Sequence, residues 1–188
     1  MILELLTAVL LLGLPARQDP ACITSASQAS LAKRASPLDS LSFTVGSTRV
    51  KICYGRPSSR GRTMLGGHNV PFGKLWRTGA NEPTMIHASG PVVIAGVQLD
   101  QGVYSLYTIP GPTEWEIVIN RSVEQWGDEG SYNEAIRKQE VGRGKVKVYK
   151  LEEHIEQLTI RPEAKGGWGK LILEWEHTRV SLPLEESK

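Results

Sequence analysis

The amino-acid sequence predicts an all-β fold: an antiparallel β-sandwich, jelly-roll-like, with one long Gly/Arg-rich loop. Three observations carry that expectation. From Leu41 onward apolar residues recur mainly with period two, the spacing of a half-buried strand. Gly, Pro and Asn divide the alternating runs into short pieces. No long segment carries the 3.6-residue period of an amphipathic helix. Short strands with frequent turns pack as a sandwich or barrel.

Taken in order, Thr48–Tyr54 alternates with Val50, Ile52 and Tyr54 on one face. Gly46-Ser47 before it suits a tight hairpin turn, since Gly tolerates positive φ. Thr84–His87 and Val92–Ala95 read as short strands, with Ala95-Gly96 as a turn. Gly102–Ile109 mixes β-branched and aromatic residues. Pro110-Gly111-Pro112 ends it, because proline lacks the ladder donor. Trp115, Ile117 and Ile119 alternate along the next strand. Ser122–Gln139 is polar, carries Trp126, and has room for a short helix within 131–139. Strands resume at Lys145–Leu151, Gln157–Arg161, Lys170–Glu176 and Arg179–Leu184, with His177-Thr178 as the turn between the last two. Leu171, Leu173 and Trp175 share one face.

The 188 residues suit one domain. Ile2–Leu14 is almost entirely apolar. It is too short for a bilayer, which needs about 20 residues, and has the length of a signal-peptide h-region. Pro15-Ala16 offers a small residue for cleavage, although Glu4 stands where positive charge is usual. Residues 1–16 are therefore read as a signal peptide. The Ser-, Ala- and Gln-rich stretch 17–40 is read as a linker, and 41–188 as a single all-β domain. The protein is expected to be exported, periplasmic or extracellular, with no stable membrane span. Two cysteines, Cys22 and Cys53, make no disulfide framework. They bridge in an oxidising compartment, or else Cys53 is a half-buried strand thiol.

The charge distribution is uneven. No acidic residue lies between Asp39 and Glu82, while Arg49, Lys51, Arg56, Arg60, Arg62, Lys74 and Arg77 do. The net charge is only +2, so the rest of the chain is acidic. Within this span Gly55–Leu75 has no strand or helix pattern. Long loops in compact domains often carry function, and arginine forks suit carboxylate or phosphate. The candidate ligand-binding residues are Arg56, Arg62, Trp76, Arg77, Asn81 and Glu82, with Trp76 as an apolar wall. The plainer alternative is that the loop pairs with the acidic remainder, Glu82 with an arginine, and that Trp76 fills the core.

Other chemistry finds little footing. His68, His87, His154 and His177 lack metal-ligand spacing, so no metal is expected. There is no phosphate-loop or dinucleotide fingerprint, and no cofactor is expected. Nucleic acid is not an expected partner, because the basic residues are offset by an acidic remainder. A glycosidase needs two placed carboxylates, and only Glu82 suggests itself. Ser58, Ser59 and His68 lack a nucleophile elbow.

Tyr54-Gly55-Arg56-Pro57, Gly61-Arg62, Gly66-Gly67, Pro71-Phe72-Gly73-Lys74 and above all Trp76-Arg77-Thr78-Gly79-Ala80-Asn81-Glu82 form an ordered series. Gly102–Gly111, Glu114-Trp115, Gln125-Trp126-Gly127, Glu156–Ile160 and Leu173–Glu176 follow. The series resembles the domain of unknown function 2911 family over residues 35–184. The resemblance implies an exported bacterial protein and transfers no catalytic residue. The function expected is binding of a small anionic or sugar-like ligand by the basic loop and the Trp76–Glu82 segment. A hydrolase using Glu82 as acid/base and a structural or interaction protein of the envelope are the alternatives.

Overall fold

An alternating segment can bury one face only if a neighbour satisfies its backbone, so such segments condense into sheets. The computed structural model describes residues 19–127 and 129–187; the signal-peptide expectation at 1–16 lies outside them. Among the described residues nine antiparallel strands form: β1 (Leu38–Val45), β2 (Thr48–Gly55), β3 (Thr84–Ala88), β4 (Val92–Ile94), β5 (Val97–Leu99), β6 (Gly102–Ile109), β7 (Glu114–Asn120), β8 (Glu140–Lys165) and β9 (Trp168–Glu186). The order across the sheet is β1-β2-β3-β6-β7-β8-β9-β4-β5. The all-β antiparallel class follows the sequence; the layered arrangement comes from one open sheet folding on itself. The β1 edge approaches β8 and β9, five and six places away, and β5 at the other edge approaches β8. Ile52, Ile86, Leu106 and Trp115 from one half meet Ile94, Leu171, Leu173 and Leu182 from the other in one core.

The expected turns at Gly46-Ser47 and Ala95-Gly96 are present. Val45 pairs with Thr48 and Ile94 with Val97. Ala95 and Gly96 both have positive φ, 52° and 80°, as a two-residue type I′ hairpin turn requires. The four separate strands expected between Lys145 and Leu184 are instead parts of β8 and β9, 26 and 19 residues long. His177-Thr178 is not a turn. The chain runs on through it, bent by register shifts around Ile155 in β8 and by a left-handed Glu176, φ 51°, in β9. The polar residues at the bend break the apolar alternation just as a turn would.

The outer face of β3, β6 and β7 is also covered. Tyr107 and Val118 pack against Tyr132 and Ile136, the latter on a one-turn helix α2 (Glu134–Arg137) inside the segment expected to hold one. The second cover is residues 19–37. Composition alone reads this as linker, but it is a strap fixed by individual bonds. Asp19 pairs with Arg49 at 2.6 Å, Cys22 is disulfide-bonded to Cys53 on β2, and the Pro37 carbonyl accepts from Arg56 N. The strap also carries a short helix α1 (Gln28–Leu31). Such fixings leave no hydrophobic period for sequence reading to detect. Among the described residues no helix is long and apolar enough to cross a membrane.

The bridge joins residues 31 apart, and closing a loop of that length stabilises by about 3–4 kcal/mol. Reduction should lower the urea-unfolding free energy by that amount and open the strap to proteolysis. An unchanged midpoint with and without reductant would show that the bridge contributes nothing.

Candidate functional site

Folding the sheet leaves one end open, and the 56–83 connection between β2 and β3 crosses it. Two carboxylates on the bent hairpin hold it. Glu156 accepts from Ser59 Oγ at 2.5 Å and Arg60 N at 2.7 Å; Glu176 accepts from Met64 N at 2.9 Å and Leu65 N at 2.8 Å. Further along, Trp76 and Thr108 exchange backbone hydrogen bonds at 2.7 and 2.9 Å. The indole of Trp76 then enters the core, stacked on Trp175 with centroids 5.6 Å apart and edge-on to Trp115 at 6.0 Å. At 4% exposure it is core, not the wall of an open pocket. The chain after it turns tightly. Thr78 and Asn81 have φ of 57° and 67°, a region strained for a β-branched residue. A Cβ on Gly55 would lie 1.9 Å from the Ala80 carbonyl, so only glycine admits this approach.

The other five sequence-predicted residues divide into two groups. Arg56 bonds the Leu158 carbonyl at 3.1 Å and Thr159 Oγ1 at 3.0 Å, and Arg62 bonds the Ser59 and Ser58 carbonyls. Both serve the loop and β8. Arg77, Asn81 and Glu82 cluster about Gly127, where a Cβ would meet the Asn81 carbonyl, the Arg77 side chain and the Glu82 backbone. Arg77 donates to the Asn81 carbonyl at 2.9 Å, and Asn81 Nδ2 donates to the Ser36 carbonyl at 3.2 Å. The six residues therefore do not surround one basic hollow. Partners on β8, on the strap and within the loop itself take up guanidinium and amide donors.

Glu82 has the richest environment. Arg34 of the strap grips it with bonds of 2.6 and 2.8 Å, and Thr24 donates to it at 2.6 Å. Burial alone would raise its pKa. The Arg34 and Thr24 hydrogen bonds and the Arg34 charge outweigh that and hold it below its ordinary 4.5. The same carboxylate lines a cavity of about 320 Å³ with Thr24, Ser25, Met85, Glu124 and Trp126. Trp126 is 45% exposed there. Gln125 beneath it is tied to Tyr107 OH at 3.0 Å and to Ser122. Sequence reasoning had marked Trp126 only within a motif, and it missed Arg34 and Thr24 because both lie in the supposed linker. Among the described residues no group of three or more His, Cys, Asp or Glu is placed to hold a metal ion.

A family model described as "Protein of unknown function (DUF2911)" matches residues 36–184. No curated protein and no solved structure matches the chain.

Removing Arg34 bares a carboxylate that is only 12% exposed. Arg34→Ala should therefore destabilise by about 2–4 kcal/mol. The folded pKa of Glu82 lies below its unfolded value, so its contribution is complete above about pH 4.5 and is lost as pH falls through the folded pKa. Glu82→Gln should flatten that acid limb in urea titrations across a pH series; parallel curves for both proteins would refute the linkage. Trp76→Ala should lose about 3–5 kcal/mol and the near-UV circular dichroism of the stacked indoles.

Proposed function

The chain belongs to the DUF2911 family, and we propose that it is a non-catalytic, exported binding domain for a sugar-like ligand. The ligand enters the cavity bounded by the strap, Glu82 and residues 123–126. One observation carries this reading: an exposed indole, Trp126, stands beside two carboxylates and two hydroxyls in a hollow of about 320 Å³. A sugar ring offers an apolar face for the indole and hydroxyl donors for carboxylates. That lining contains no cation, so of the sugar-like and anionic ligands it favours the former. Arg34 fixes Glu82 from behind, which pre-positions the acceptor and limits the ordering penalty of binding.

The lowered pKa of Glu82 speaks against its serving as the proton-donating acid of a glycosidase, which must stay protonated. Export is supported by the apolar run at 2–14 and by the Cys22–Cys53 bridge, which fits an oxidising compartment.

Titration with a panel of neutral mono- and disaccharides should quench Trp126 fluorescence and shift the amide resonances of residues 23–25, 82 and 123–126. Trp126→Ala should weaken binding about tenfold or more, as loss of one stacked ring does, while its melting temperature stays unchanged. No resonance shift at tens of millimolar saccharide would refute the reading.

A further inference from the structure

The β8–β9 ladder ends at Val148↔Val180. Beyond it Lys145, Val146 and Lys147 pair with β7, whereas β9 turns to β4 at Leu184. The two strands thus part like a fork. The left-handed bend at Glu176 brings the two arms of β9 together on the outer side: Glu174 binds both Arg161 on β8 and Arg179 beyond the bend. Between fork and bend lies a cleft of about 500 Å³, lined by Lys145, Lys147, Tyr149, Lys170, Arg179 and Ser181 among others.

No carboxylate lines this cleft. Lys145 pairs with Glu114 at 3.0 Å, and Arg179 donates to Glu174 at 2.5 Å; both carboxylates lie outside the lining. Lys147 and Lys170 have no carboxylate partner among the described residues. Glu114 stands opposite Lys147 and Glu163 opposite Lys170 across the ladders, but Lys145 and Arg161 engage those two carboxylates; with Glu174 they set three negative charges against five positive ones, Arg161 included. Like charges held together across a concave wall focus a positive potential. The charge left over is that of one dianion. Lysine suits phosphate as a point charge; Arg179, whose Nε and one terminal nitrogen are held by Glu174, offers its other terminal nitrogen, and Ser181 adds a hydroxyl donor. Tyr149, 56% exposed at the rim, supplies a ring for an organic body.

We propose that this cleft is a second, separate site that binds a phosphomonoester: one dianionic phosphate among Lys147, Lys170 and Arg179, with a sugar-sized body against Tyr149. The volume is within the range of small-molecule sites. The site does not depend on the neutral-sugar reading, since the two cavities share no residue.

The test uses the full chain, with glucose 6-phosphate and glucose as soluble probes, and phosphatidylcholine vesicles with and without phosphatidate as the lipid probe. Glucose 6-phosphate should bind and glucose should not shift residues 145–149 or 179–181. Rising salt should weaken binding steeply, as expected for exposed charges. The double variant Lys147→Ala/Lys170→Ala should lose about tenfold or more in affinity. Both lysines are exposed, so its melting temperature should be unchanged. Lys74→Ala, on the exposed loop, is the charge control, and Trp126→Ala should leave phosphate binding intact. Binding only to phosphatidate vesicles, lost in the double variant, would support the site with a lipid headgroup as the source. Failure of both probes, or binding that the double variant retains, would overturn it.

Discussion

The Trp76 indole between Trp175 and Trp115 is the contact on which the remaining architecture depends. A sheet curled on itself has an open end, and an open end wets the core. Filling it needs a large apolar side chain delivered from a chain segment that belongs to no strand. The 56–83 connection delivers Trp76, with Met64, Leu65 and Val70, into the common core. A loop of that length loses much conformational entropy on docking, which explains its many anchors. Two carboxylates receive its backbone donors, an antiparallel bridge joins Trp76 to Thr108, and glycines permit contacts that no Cβ allows.

Those anchors also explain the uneven charge. The loop is free of acid because acids on the rest of the chain bind it. Glu156 and Glu176 sit where β8 and β9 bend, and both present acceptors to loop donors. Arginines of the loop answer carbonyls of β8, the strap and the loop itself. The arrangement satisfies buried polar groups that the irregular segment would otherwise leave open. Its consequence for binding is direct: a guanidinium engaged with backbone has little left for a ligand. Among the described residues Lys147 and Lys170, which line the cleft on the long hairpin, have no direct ion pair.

Sequence reading recovered what strand periodicity encodes. Val50, Ile52 and Tyr54, then Trp115, Ile117 and Ile119, then Leu171, Leu173 and Trp175 all face the core as their alternation implied. The two-residue hairpins were readable because each needs a positive φ that its glycine, Gly46 or Gly96, adopts readily. The strap was not readable. Its contacts at Asp19, Cys22, Thr24 and Arg34 are single polar or covalent fixings, each to a residue distant in sequence. The continuity of β8 and β9 was also hidden, because a solvent-facing bend has the composition of a turn. In the Trp76–Glu82 segment the residues were rightly singled out, but spacing alone cannot say whether a polar side chain points at a ligand or at a neighbouring backbone.

This distinction bears on how function is placed on such a fold. The left-handed backbone at Thr78 and Asn81 holds Trp76 inward and Glu82 outward within seven residues. One short segment thereby seals the core on one side and forms part of a cavity on the other. The strap completes that cavity through Ile23, Thr24 and Ser25, and Arg34 sets the position of its carboxylate. Strap and sheet are coupled here through this ion pair, and elsewhere through the disulfide, the Asp19–Arg49 pair and the Pro37 carbonyl. Whatever loosens the strap removes a wall of the cavity and unpairs Glu82 in the same event. Stability of the closed sheet and the shape of the cavity are thus set by one group of contacts, and a substitution in the segment acts on both.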